Sequence, residues 1–507
     1  MTTTADNDNT IADKGLKTGA LGLMSSVVVG LASTAPAYSL AATLGFVVIA
    51  VGVQAPAIMI LAFLPMLFIA ISYQELNRVM PDCGTTFTWA TKAFGPRLGW
   101  LGGWGIVAAD VIVMANLAQI AGSYGFLLFG ADDLATSKFW VTLVGVIWII
   151  VMTWICYKGI EISARLQYLL FGVELVVLVI FSAVALIKTY AGNPPPGSIH
   201  PELSWFNPLD IPTFSGFTEG VLLAIFIYWG WDTAVAINEE TSDKDRTPGR
   251  AAVISTVVLL ATYAVVTVAA QAYAGVGETG LGLSNPDNTD DVLSALGNAV
   301  LGSDLGKILI LMTLTSAAAS TQTTILPTAR TTLSMAAYRA IPRVFARMHA
   351  RNMTPTWSTV VMGIASVVFY VGLTLISENV LGDSITSVGL LIAFYYGLTG
   401  FACAWYFRRS IFDSARSFLV RGLLPLLGGL MLLVAFVKSA VDMFATDYGA
   451  TSFGGVGGVF LMGIGALLLG VVLMEVYRVI APEFFRGQVN RSPEETPVET
   501  PEPREKE

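Results

Sequence analysis

Apolar residues run in long stretches along the whole chain, broken by short polar segments that carry most of the charge. A helix rises about 1.5 Å per residue, so roughly 20 apolar residues cross the core of a bilayer. Twelve stretches reach that length: residues 20–48, 54–76, 98–129, 139–157, 166–188, 215–238, 251–274, 305–329, 356–376, 385–407, 419–438 and 455–480. Most are apolar on every side, as helices surrounded by lipid or by other helices are. The expected fold class is an all-α integral membrane protein with twelve transmembrane helices. If the N-terminus is placed on one side, only Lys138, Lys188, Lys307 and Lys438 of the 28 lysines and arginines fall on the other. Such residues concentrate in cytosolic loops. Both termini are therefore predicted to be cytosolic, in a plasma (cytoplasmic) membrane.

Composition agrees with that reading. Of 507 residues, 54% are hydrophobic and only 13% charged, against roughly 25% charged in a soluble domain. No basic stripe suggests a nucleic-acid partner; the lipid bilayer is the expected surroundings. The opening residues "MTTTADNDNTIADKG" are polar and acidic, unlike the basic start and apolar core of a signal peptide. The first apolar stretch is thus expected to remain as a membrane helix. The tail "SPEETPVETPEPREKE" is rich in Pro and Glu and is expected to be disordered. Cys83, Cys156 and Cys403 are odd in number and have no metal-ligand spacing. They are expected to be reduced, near the cytosolic side, with no metal and no cofactor.

Two spans carry a break. In "VVVGLASTAPAYSLAATLG", residues 27–45, Ser33, Thr34 and Ala35 precede Pro36. Proline lacks the amide donor and pushes the preceding residue out of helical geometry. In "AIFIYWGWDTAVAINEE", residues 224–240, Gly230 sits mid-span among Tyr228, Trp229 and Trp231, and Asp232 is suited to cap a restarted helix. Irregular backbone at membrane depth is tolerated where it lines a cavity. The two broken helices, 1 and 6, are five apart in chain order, and the long loops after helices 2 and 7 fall on opposite sides. Both features predict an inverted repeat with a midplane site. The predicted division is a cytosolic tail 1–17, repeat one 18–190 (helices 1–5), an extracellular loop 191–213, repeat two 214–410 (helices 6–10), helices 11–12 in 411–482, and a disordered cytosolic tail 483–507. A half-helix starting after Pro36 offers free amides to an anion, and the one before it offers carbonyls to a cation.

With these residues in view, the chain resembles the amino acid–polyamine–organocation (APC) family of permeases, whose fold is a 5+5 inverted repeat of the leucine-transporter type. "GLASTAP" stands in place of that family's Gly-rich loop on helix 1. The stretches "MPDCGTTFTWATKAFGPRLGWLGGW", "FIYWGWDTAVAINEETSDKDRTPGRA" and "SAAASTQTTILPTARTTLSMAAYRAIPRVFA" resemble its other signatures. The resemblance covers most of helices 1–8; helices 9–12 match by hydropathy only. It implies that Ser33, Thr34 and Ala35 bind a substrate carboxylate. It also places Phe226, Tyr228, Trp229 and Gly230 around the amine and side chain. Where the family has Gly-Ser-Gly this chain has Ser33-Thr34-Ala35, and Pro36 removes one amide donor.

Ionisable residues inside the membrane are functional candidates by default. Asp110 falls near the middle of helix 3 and is a candidate substrate contact. Asp232 is a candidate cap and, with Trp231, a gate residue. Glu174 stands where much of the family has a lysine after an R-x-Q motif, here Arg165-Leu166-Gln167. A buried carboxylate there can take and release a proton, so Glu174 is the candidate for proton coupling; a neutral acid bridging helices 5 and 1 is the alternative. In sodium-coupled relatives of this fold, paired hydroxyls on helix 8 complete a sodium site with helix 1 carbonyls, so the resemblance makes Ser316, Ser320 and Thr321 the second coupling candidate. Glu239 and Glu240 are expected to meet Arg78, Lys92 or Arg97 in an inner gate.

The function predicted is proton-coupled uptake of an amino acid or related amine by alternating access. The alternatives are a polyamine or organic-cation permease, an amino acid exchanger, and a nutrient-sensing transceptor with little turnover. No nucleophile–base or metal motif supports an enzyme.

Overall fold

The computed structural model describes residues 13–191, 194–377 and 379–487. The rest of the predicted terminal tails, residues 1–12 and 488–507, lies outside the described residues. The chain forms helices α1 (Leu23–Thr34), α2 (Pro36–Val51), α3 (Ala55–Val79), α4 (Thr86–Phe94), α5 (Pro96–Leu128), α6 (Lys138–Lys158), α7 (Ile160–Thr189), α8 (Phe214–Tyr228) and α9 (Thr233–Ala236). It continues with α10 (Thr247–Ala274), α11 (Val292–Leu301), α12 (Ser303–Ala337), α13 (Thr356–Ile376), α14 (Val380–Tyr406), α15 (Leu424–Asp442) and α16 (Gly458–Ile480). A two-stranded antiparallel hairpin, Ser452–Phe453 with Val456–Gly457, joins the last two helices.

Among the described residues, ten segments are long and apolar enough to cross a membrane. Leu23–Val79 holds the first two predicted spans, and the sixth is represented by the shorter Phe214–Tyr228. The remaining predicted spans each overlap one of these segments. The outer helices leave large apolar side chains bare, among them Ile150 and Trp154 on α6, Val176 and Val179 on α7, and Leu468 and Val472 on α16. A surface of that kind is stable in lipid and costly in water. The interior helices differ: α12 carries a run of buried hydroxyls that return their protons to the backbone one turn earlier, as Thr321 and Thr323 do to Ala317 and Ala319.

Both breaks are present. Between α1 and α2, Ala35 adopts φ +44° and ψ 67°, and Pro36 opens α2. That is the first helical position, where a missing amide costs no intrahelical bond. After α8, Gly230 adopts φ +121° before the short α9. A Cβ on Gly230 would lie 2.7 Å from the Ser33 carbonyl carbon and 2.9 Å from Thr34 N. Glycine is needed there twice, for its φ and for the close approach of the two chains. The two breaks therefore touch, with α1 packed against α7, α9, α10 and α12.

Candidate functional site

A small cavity lies where the breaks meet. Ser33 of α1, Ile106 and Asp110 of α5, Trp229, Gly230, Asp232 and Thr233 around the second break, and Thr324 and Pro327 of α12 line it. It holds no more than about one water. Ser33 Oγ and Thr233 Oγ1 share a hydrogen bond of 2.8 Å across the junction. Asp110 is buried and accepts a hydrogen bond from the Thr328 hydroxyl. Asp232 accepts from the Tyr395 hydroxyl at 3.2 Å, and Tyr395 in turn accepts from Trp229 Nε1. Asp232 stands at the N-cap position of α9 but makes no side-chain cap hydrogen bond.

Of the predicted substrate residues, the fold brings Ser33, Trp229, Gly230 and Asp110 to the cavity wall. Thr34, Ala35, Phe226 and Tyr228 stand behind it. The Thr34 hydroxyl returns to Leu31 O at 2.7 Å, and the Tyr228 hydroxyl donates to Met59 O at 3.1 Å. Trp231 is fully buried between Tyr73 and Tyr396, with ring centroids 5.2 and 5.0 Å away. Trp89 adds a fourth ring against Tyr73 at 4.9 Å. These four rings form one packed aromatic cluster directly after the second break.

Glu174 of α7 is fully buried and reaches the first break. Its Oε1 accepts from Ala37 N at 2.7 Å and from Ser316 Oγ at 2.7 Å. Its Oε2 has no hydrogen-bond partner among the described residues. The three hydroxyls proposed for sodium point to different neighbours. Ser316 serves Glu174, Ser320 donates to Ser33 O at 3.0 Å, and Thr321 accepts from Trp148 Nε1 at 3.2 Å.

At the basic end, the expected partners of Glu239 and Glu240 are corrected. Glu240 forms a two-pronged pair with Arg330 of α12, both contacts at 3.0 Å. Glu239 accepts from Lys14 Nζ at 2.6 Å and from Cys83 N at 2.9 Å. Arg78 instead pairs with Glu75 one turn away, at 3.1 Å, and Arg97 with Glu475 at 3.3 Å; Lys92 is exposed. Sequence reasoning used the loop cations nearest in the chain. It assigned Arg330 to a loop, whereas its helix runs on past it and carries the guanidinium into the bundle.

Lys14, Asp82, Arg330 and Glu75 are the residues that sequence reasoning missed. Lys14 is fully buried and bridges Glu239 to Asp82, 3.0 Å away. Asp82 also accepts from Gly84 N, Ser334 Oγ and Tyr338 OH at 2.7, 2.7 and 2.8 Å. Burial alone would raise the Asp82 carboxyl, but the Lys14 ammonium and these donors hold it below its ordinary value. Burial opposes the Lys14 charge too, yet Asp82 and Glu239 keep it well above the usual ammonium range. The segment is held further by Leu21, whose backbone bonds Glu240 O and Ser242 N. Its partners lie 68 and 225 positions away in the chain, so no local signal marked this lysine.

A family model described as amino acid permease matches residues 19–469. The branched-chain amino acid permease BcaP of Lactococcus lactis is 27% identical over 209 residues, 39% of this chain and 44% of that protein. An uncharacterized transporter of Mycobacterium tuberculosis is 28% identical over 384 residues, 75% of this chain and 78% of its own length. The vacuolar cationic amino acid transporter 4 of Arabidopsis thaliana is 24% identical over 343 residues, 64% of this chain and 53% of that protein. The chain thus spans less than half of the lactococcal relative and about half of the plant one.

Proposed function

This chain belongs to the amino acid permease family, a family of multi-pass membrane transporters, and from that premise we propose that it takes up an amino acid or a related amine, driven by protons, through alternating access. The direction is inward across the plasma membrane, with both termini in the cytosol. Residues 18–190 and 214–410 act as two inverted repeats whose broken helices share one site. Ser33, Trp229, Gly230 and Asp110 contact substrate, and Thr34, Ala35, Phe226 and Tyr228 shape the wall behind them. Trp231, Asp232, Glu239, Glu240 and Arg78 belong to the layers that close toward the cytosol.

One observation carries the coupling. Two donors converge on Glu174 Oε1 while Oε2 is sealed without a partner. An unpaired anion at that depth would be costly, so we place the coupling proton on the bare oxygen. Because Oε1 holds the first free amide of α2, proton release and movement of the broken helix are mechanically linked. Ser316 supports Glu174 and Ser320 supports the α1 carbonyl end, which favours the proton over sodium.

Proteoliposomes with imposed proton or sodium gradients test this reading. A proton gradient is expected to drive accumulation of labelled substrate, and Glu174→Gln to abolish that drive while downhill exchange persists. Full gradient-driven accumulation by Glu174→Gln, or drive by sodium alone, would overturn the coupling role.

A further inference from the structure

At the end of the bundle that carries the basic loops, the start of α5 and the exit of α16 border a pocket of about 580 Å³. Arg97, Arg478 and Arg486 line it, with Phe94, Pro96 and Phe485 among them. Guanidiniums gathered on one wall repel one another unless negative charge meets them. Glu475 meets part of it, 2.6 Å from Arg478 and 3.3 Å from Arg97. Glu483, on the same exit, is paired with Arg339. The Arg486 side chain has no ion pair among the described residues. Three guanidiniums thus face one carboxylate, and the pocket wall keeps an excess of positive charge. The positive end of α5 adds to it, since Gly95 caps that helix without a side-chain bond.

An apolar groove of about 480 Å³ adjoins the pocket. Phe94 lines both, and Leu98 of the groove follows Arg97 of the pocket in the chain. Leu398, Phe401 and Trp405 of α14 and Leu426 of α15 build the facing wall. Leu98, Trp405 and Leu426 are 42, 50 and 42% exposed, so the groove opens on the surface that lipid covers. The Arg408 guanidinium lies 4.6 Å from the Trp405 ring, a pairing suited to headgroup depth. Arg97 stands thirteen residues before Asp110, about 20 Å along α5. This site is therefore separate from the cavity between the breaks.

A basic recess beside a lipid-facing groove matches the two halves of a phospholipid. Guanidinium forks fit phosphate oxygens, and basic recesses between transmembrane helices take anionic headgroups. A soluble anion would use the recess and leave the groove bare. A lipid without net charge would use the groove and leave the excess charge unmet. We propose that an anionic glycerophospholipid of the adjoining leaflet binds here, with its phosphate among Arg97, Arg478 and Arg486 and one acyl chain along the groove beside Phe94. Seated so, it ties the start of α5 to α14, α15 and α16.

The test is lipid binding to the purified full chain, read by native mass spectrometry in detergent and by melting temperature. Dioleoylphosphatidylglycerol is expected to bind about tenfold or more tightly than dioleoylphosphatidylcholine, and to raise the melting temperature further. Arg97→Gln with Arg486→Gln is expected to remove most of that preference. Arg347→Gln with Arg351→Gln removes the same charge from exposed positions outside the pocket and is expected to keep it. Arg486→Gln alone, which breaks no ion pair among the described residues, is expected to cut the preference about fivefold, and Arg486→Lys to retain it. Leu98→Trp, which fills the groove, is expected to weaken binding of both lipids. Glycerophosphoglycerol, the headgroup without its chains, is expected to displace neither. Equal binding of the two lipids by the unmodified protein, or equal loss of preference in the two double variants, would overturn the inference. Displacement by glycerophosphoglycerol as effective as by whole lipid would do so too, since the recess would then hold a soluble anion.

Discussion

At the residue scale, Gly230 and Glu174 carry the most consequence for their size. Gly230 sits at φ +121° with the Ser33 carbonyl carbon where a Cβ would go. Alanine at this position strains the backbone and pushes the two breaks apart. Gly230→Ala is expected to lower the melting temperature in detergent and to reduce ligand affinity by about tenfold or more. A control at Gly465, which has open space and an ordinary helical φ, is expected to leave both unchanged. The glycine was visible in the sequence as an odd residue in an aromatic run. Its contact with Ser33 was not, because 197 positions separate the two.

At the element scale, the basic end is closed by pieces that are distant in the chain. The segment around Lys14, the loop at Asp82, the exit of α9 and the inner part of α12 are tied by Lys14–Asp82, Lys14–Glu239 and Arg330–Glu240. Removing one partner of a buried pair leaves an uncompensated charge, at a cost of roughly 3–5 kcal/mol. Glu240→Gln is expected to destabilise the fold by about that amount in thermal or denaturant melts, and Glu240→Gln with Arg330→Met to recover part of it. The Lys14 pair has a defined pH range. Asp82 lies below its ordinary value, so its stabilisation is present above the usual carboxylate range and fades as pH falls through the lower folded value. Lys14 lies above its ordinary value, so its share persists through neutral pH and fades only as pH rises through the higher folded value. The stability advantage over Lys14→Met should therefore be full near neutrality and shrink below about pH 4. An advantage that grows on acidification would count against the pair.

At the scale of the whole molecule, the cavity holds about one water, so any solute larger than that needs its walls to move. On the proposed gating, the aromatic cluster of Trp231, Tyr73 and Tyr396 and the ion pairs of Lys14 and Arg330 would be the barriers toward the basic end. Cys83 reports on that barrier, being fully buried beside Glu239. In a background with Cys156 and Cys403 replaced by alanine, maleimide labelling of Cys83 is expected to be slow. It should accelerate several-fold in Lys14→Ala, which cuts the bridge between the N-terminal segment and the loop. Equal labelling rates in both proteins would mean that Lys14 does not hold this end shut.

The sequence by itself determined the class, the approximate spans and the presence of two breaks. Those features are local: apolar length, and a proline and a glycine where a helix should continue. Only the tertiary structure decided what the breaks do to one another and which groups fill them. Glu174 was legible as an acid in an apolar run, but its grip on Ala37 N joins residues 137 positions apart. Lys14 and Arg330 were legible only as basic residues, and their acids come from other parts of the chain. Pairing of charges inside a membrane is set by which helices pack together, since each buried charge must be met wherever the fold supplies its opposite.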